Sequence, residues 1–143
     1  MKVFQRLEVF LGFVYFVSTL AYLYFISIPS SKGIAELYND SSQVLHWSSP
    51  SVIIGITLHL TIPICSYLHA FKRSYVALGI IVVWGGLFFF LTVYGVILGT
   101  AFEGHPWIGI SPAIAAFLTI VLAFINTIIF LQNRNEKRRL NSL

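Results

Sequence analysis

Charge is what this chain has least of. Only 10% of its 143 residues are Asp, Glu, Lys or Arg, against about 25% in an ordinary soluble domain. A composition this poor in charge excludes a disordered segment, a nucleic-acid module and a conventional soluble enzyme. There is a single cysteine, Cys65, which excludes an intrachain disulfide and any Cys-x-x-Cys redox or zinc site. Gly-x-Ser-x-Gly, His-Glu-x-x-His and P-loop motifs are all missing. No carboxylate stands at the middle of a long apolar run, which argues against the usual proton-coupled carrier. None of those runs is interrupted in the paired, inverted manner of larger transporters.

What the chain does have is apolar length. Hydrophobic residues make up 57% of it and aromatics 16%, and the mean hydropathy is +0.85. Four apolar blocks cover about residues 7–28, 51–71, 75–100 and 108–131. Each reaches the roughly 20 residues that a helix needs to cross about 30 Å of hydrocarbon. Barrel strands would be about 10 residues long and would alternate, whereas Ile80-Ile81-Val82-Val83 and Phe88-Phe89-Phe90 do not. Backbone polar groups in lipid must be satisfied within the segment, so the blocks are helices. The expectation is one all-α integral-membrane domain over residues 1–143, a four-helix transmembrane bundle. The first block follows Lys2 and Arg6 like a signal peptide. Its apolar run is too long for one and no Ala-x-Ala site follows, so it reads as a retained helix.

The few charges set the orientation. Lys2, Arg6, Lys72, Arg73, Arg134, Lys137, Arg138 and Arg139 fall on one side of four crossings and only Lys32 on the other, eight of the nine basic residues against one. The positive-inside rule then places both termini in the cytoplasm, with the plasma membrane as the location. Residues 29–50 form the long external loop. It carries an Asn39-Asp40-Ser41 sequon, and Trp47 and Trp107 fall where an outer aromatic belt is expected. The Lys72–Ser74 turn is short enough to make the second and third helices antiparallel neighbours.

Helices associate in lipid through small residues and interhelical hydrogen bonds. In the fourth block Ser111, Ala115, Thr119, Ala123 and Thr127 recur every four residues, with Asn126 beside them. The third offers Gly85, Thr92, Gly95 and Gly99, the second Gly55, His59, Pro63, Ser66 and His69, and the first Glu8, Gly12, Tyr15, Thr19 and Tyr22. These stripes are expected to pack the bundle, with a share of them open to another subunit or a second copy.

His59 is the strongest candidate for chemistry, because an ionisable side chain at depth is costly and marks function by default. Pro63, four residues on, removes the helical partner of the His59 carbonyl. Depth matching points to Thr19, Tyr22 and Thr92 as hydrogen-bond partners. A haem or chlorin held by this chain alone would need two histidines at one depth on different helices. His59 and His69 share a helix, so such a group fits only at a subunit boundary, with Trp84 and Phe88–Phe90 as apolar walls. His46, Glu103 and His105 are metal-ligand types on the external side, but their spacing matches no compact motif. Glu8 reads as an interfacial residue within reach of Arg6 or Arg73.

The expected function is therefore non-catalytic. It is that of a small membrane subunit that packs among lipids against larger membrane subunits, or as a homo-oligomer, and stabilises a complex of the energy-converting or oxidase type. Two alternatives stand beside it. One is a haem- or pigment-binding electron-transfer subunit using His59. The other is a small oligomeric transporter or channel whose polar path runs through Tyr15, Tyr22, His59, Ser66 and Thr92.

Overall fold

A computed structural model of the chain describes residues 2–27, 50–97 and 106–141. All its regular structure there is helical: α1 (Lys2–Ser27), α2 (Pro50–Lys72), α3 (Tyr75–Ile80), a π-helical turn (Ile81–Gly85), α4 (Gly86–Ile97) and α5 (Pro106–Leu140). α3, the π turn and α4 run on as one span. Four helical stretches are thus long and apolar enough to cross a membrane, the mark of a multi-pass membrane protein.

The boundaries differ from the sequence expectation where polar residues still make good helix. α1 begins at Lys2 rather than near residue 7, because Lys, Gln, Arg and Glu all favour helix. α5 runs well past residue 131 for the same reason, through Gln132, Arg134, Glu136, Lys137 and Arg138. Pro63 and Pro112 lie inside α2 and α5 without ending them.

Contacts fix the topology. Glu8 meets His69 while Tyr15 meets His59, so α1 and α2 are antiparallel. Asn126 reaches Phe4 while Ala115 and Ala116 pack on Tyr15, which makes α1 and α5 antiparallel. Arg73 lies over Phe130 and Phe89 stacks on Phe117, so the third span and α5 are antiparallel too. α1 packs mainly on α2 and α5, and the third span on the same two helices. The result is an up-down-up-down ring in which each helix touches its two neighbours.

The buried residues follow the helical period. On α1 they are Gln5, Glu8, Gly12, Tyr15 and Thr19, alternating steps of three and four. At Gly12 α1 and α2 come close together. A Cβ there would stand 2.7 Å from Ser66 Oγ and 3.2 Å from the Pro63 Cα. Ala77, Ile81 and Gly85 face inward on the third span. The π turn then shifts the phase by about one residue, which brings Trp84 and Phe88 against the ring of His59.

The α2–α3 turn uses an αL cap. Arg73 takes φ 57°, and its N–H donates to the His69 carbonyl at 3.1 Å. Ser74 then caps α3 by accepting from the Ala77 N–H at 3.3 Å.

Candidate functional site

Two polar layers cross the interior of this bundle. The one nearer Lys72 is centred on Glu8, whose residue is 0% exposed and whose partner His69 is 2% exposed. His69 Nδ1 stands 2.7 Å from Glu8 Oε1, and Asn126 Nδ2 donates to Glu8 Oε2 at 2.6 Å. The same amide nitrogen reaches the Phe4 carbonyl at 3.1 Å. On the other side of the imidazole, Nε2 stands 3.0 Å from Thr127 Oγ1. That hydroxyl donates to the Ala123 carbonyl at 2.9 Å. Gln5 donates to the Ala70 carbonyl at 2.7 Å. Three helices are therefore tied at one level by an acid–base pair and two amides.

This network corrects the expectation for Glu8. It does not turn to Arg6 or Arg73 at the interface but points inward to His69 and Asn126. A carboxylate facing the bundle must be matched by donors, and the neighbouring helices supply one for each oxygen. A signal for this was present in the sequence. Glu8, His69 and Asn126 each lie on the small or polar stripe of their helix, and all are a few residues inside the charged end.

The second layer lies about 10 Å further along, seven residues up α1. Tyr15, fully buried, hydrogen-bonds to His59 Nδ1. The His59 partner is thus Tyr15 and not Thr19 or Thr92, whose hydroxyls donate to carbonyls of their own helices, Tyr15 and Phe88 respectively. Phe88 meets the rings of Tyr15 and His59 edge-on at 5.6 and 5.1 Å, and Trp84 packs on His59 at 5.8 Å. His59 itself is half-buried, so its ring joins the core to the outer surface of the bundle. Between the layers the Ser66 hydroxyl is buried and has no partner among the described residues.

The packing residues sort by face. Ala115, Thr119 and Ala123 are buried, and Thr119 donates to the Ala115 carbonyl at 2.7 Å. Gly85 faces Ile120, whose Cδ1 would lie 3.3 Å from an added Cβ. Thr92 is half-buried and Ser111 is exposed. Gly99, His46, Glu103, His105, Asn39 and Trp47 lie outside the described residues, as do the surroundings of Gly95 and Trp107. Among the described residues no three of His, Cys, Asp and Glu gather as a metal site.

The arrangement can do two things. The Glu8–His69–Asn126 layer locks helix register, since each partner comes from a different helix. The Tyr15–His59 layer holds a half-buried imidazole, bonded by a phenol and flanked by aromatic rings. No protein-family model, no curated protein and no solved structure matches this chain.

Proposed function

We propose that the chain is a small subunit of a multi-subunit complex in the plasma membrane, packing against and stabilising larger membrane subunits, in an energy-converting or oxidase-type assembly. The observation that carries this reading is a furrow on the outward side of the third span, lined by Val76, Gly79, Ile80, Val83 and Trp84. Gly79, which is exposed, and Gly86 have no atom of another element within 4 Å of where a Cβ would sit. Bare backbone on an outward face is of little use against lipid tails, but it admits a partner helix at close range. The inward stripes are already occupied: Gly12, Gly85, Ala115 and Ala123 pack this chain against itself. What is left open to a neighbour is Gly79 and Gly86 on the third span, with Gly55 on α2.

The test is Gly79→Leu with Gly86→Leu. Both side chains enter open space, so the isolated bundle should melt at the wild-type temperature. Native mass spectrometry of protein extracted gently from its own membrane should show the wild type in a larger particle and the variant released from it. A wild-type particle no larger than one chain, or a variant particle of unchanged size, would sink the reading.

Both termini cytoplasmic is the orientation that fits the basic residues. In a Cys65→Ser background, an impermeant thiol probe applied from outside should label Ser42→Cys and Glu103→Cys and leave Ser74→Cys untouched. Labelling at position 74 reverses the assignment.

A second reading, in which His59 ligates a haem or chlorin at the subunit boundary, is favoured by Tyr15 on Nδ1 and by Trp84 and Phe88 against the ring. A ligating imidazole is commonly oriented in this way through its other nitrogen. A Soret band in the purified complex that disappears in His59→Ala would decide for it.

A further inference from the structure

At the Lys72 end, α5 closes on the α2–α3 turn. Thr127 meets His69 there, and the Phe130 ring carries the Arg73 guanidinium at 4.7 Å. The helix does not stop at that contact. It continues to Leu140, and residues 131–140 are exposed. Seven residues of α-helix return a side chain to within about 20° of the same face. Arg134 therefore follows Thr127, and Lys137 follows Phe130. Eleven residues do the same in the opposite sense, so Arg138 also stands in line with Thr127. The face of α5 that rests on the turn thus runs on as a basic ledge, with the exposed Lys72 and the Arg73 guanidinium at its foot.

No carboxylate among the described residues balances this ledge. Glu8 is taken by His69 and Asn126. Glu136 stands nine residues beyond Thr127, which puts it about 180° round the helix. A second, independent observation comes from the turn. Both terminal nitrogens of Arg73 are buried and have no hydrogen-bond partner among the described residues. Positive charge is gathered, and part of it is left without an acceptor.

We propose that this ledge binds the phosphate of an anionic phospholipid headgroup. Its level suits that ligand. The apolar run of α5 ends at Leu131, and Arg134, Lys137 and Arg138 lie about 4 to 11 Å beyond it. The headgroup layer adds about 5–7 Å to each side of the hydrocarbon, and the long stems of Arg and Lys let their heads reach back toward it. Guanidinium groups take phosphate oxygens in pairs, and ammonium groups add point charge. A basic cluster beside a span attracts anionic lipid by about 1 kcal/mol per residue, which is about fivefold in association for each side chain.

The experiment uses the full chain in micelles doped with equal amounts of phosphatidylglycerol and phosphatidylcholine, with bound lipid counted by native mass spectrometry. The wild type should retain phosphatidylglycerol at least about tenfold over phosphatidylcholine. Arg134→Gln/Lys137→Gln/Arg138→Gln should bring the two near parity. These side chains are exposed beyond the packed bundle, so the variant should melt as the wild type does. Lys2→Gln/Arg6→Gln removes exposed charge of the same sign from the start of α1 and should leave the preference in place. Equal retention of the two lipids by the wild type overturns the proposal. So does an equal loss in the Lys2/Arg6 variant, which would mean a general charge effect. Inorganic phosphate that protects against melting as well as phosphatidylglycerol does would assign the ledge to a free anion and overturn the lipid assignment.

Discussion

Replacing Glu8 by Leu removes the acceptor at the centre of the polar layer nearer Lys72 while keeping a side chain of similar bulk. Glu8 accepts from His69 and Asn126 at 2.7 and 2.6 Å, and all three residues are buried. An interhelical hydrogen bond within a membrane contributes about 0.6 kcal/mol on average and up to about 1.7, so two are worth about 1–3 kcal/mol. Breaking a buried pair from one side costs about 3–5 kcal/mol in soluble proteins, because the remaining partner is stranded. Asn126 keeps the Phe4 carbonyl, so His69 is the group left stranded. The expected loss is about 3 kcal/mol. His69→Leu should cost a similar amount, since it strands Glu8 Oε1 and removes the Thr127 contact. The double variant leaves neither half of the pair behind. Its loss should fall short of the sum of the singles by about 2 kcal/mol, the coupling expected of residues in contact. Reversible unfolding in mixed micelles, followed by helicity, measures all three variants. Thr57→Val serves as control: this exposed hydroxyl bonds only within its own helix, to Ile53, and should add to Glu8→Leu without coupling. If the Glu8 and His69 losses add to within about 0.5 kcal/mol, the two side chains do not act as a pair and the Glu8 layer is not what ties the helices.

Two further outcomes test the packing and the turn. Gly12→Ala should destabilise the bundle by about 1–3 kcal/mol, because the new methyl would meet the α2 backbone at 3.2 Å and Ser66 closer still. Gly86→Ala, with nothing within 4 Å, should be neutral or slightly stabilising in the same melts. At position 73 both Gly and Ala lose the contact with Phe130, but only Ala keeps the left-handed penalty at φ 57°. Arg73→Gly should therefore be more stable than Arg73→Ala by about 1 kcal/mol, and equal stability would mean that the turn relaxes out of the αL region.

The helices were legible because their signal is long-range and redundant. Four runs of the right length leave no other way to satisfy the backbone, and the steps of four on α5 identify its inward face through Ala115, Thr119 and Ala123. The π turn was not legible, since Ile81–Gly85 has the composition of any apolar helix and only the packing of Trp84 and Gly85 reveals the phase shift. The pairing of Glu8 was missed for a different reason. Its level near the charged end of α1 offers Arg6 and Arg73 as partners, while the choice is made by which way the stripe faces. Glu8 shares its face with Gly12 and Tyr15, and that face looks into the bundle.

His59 shows how far depth matching alone can go. It placed the imidazole at the level of Thr19, Tyr22 and Thr92, and the two threonine hydroxyls are each spent on their own helix. A Thr in a helix can always bond the carbonyl one turn back, whereas a Tyr hydroxyl stands too far from its own backbone and must find a partner elsewhere. Tyr15 finds His59. This difference makes Tyr15→Phe the informative substitution. The ring and its edge contact with Phe88 at 5.6 Å are kept, and only the hydroxyl is lost. A His59 that merely bridges helices should lose about 1 kcal/mol of stability in Tyr15→Phe and a similar amount in His59→Leu, with no other change. A His59 that ligates a porphyrin should behave differently in the two variants. Tyr15→Phe should keep the group bound with a displaced absorption band, since the phenol orients the ring and does not ligate, while His59→Leu should lose the band altogether. Equal stability losses and featureless visible spectra in both variants would leave the imidazole with the bridging role alone.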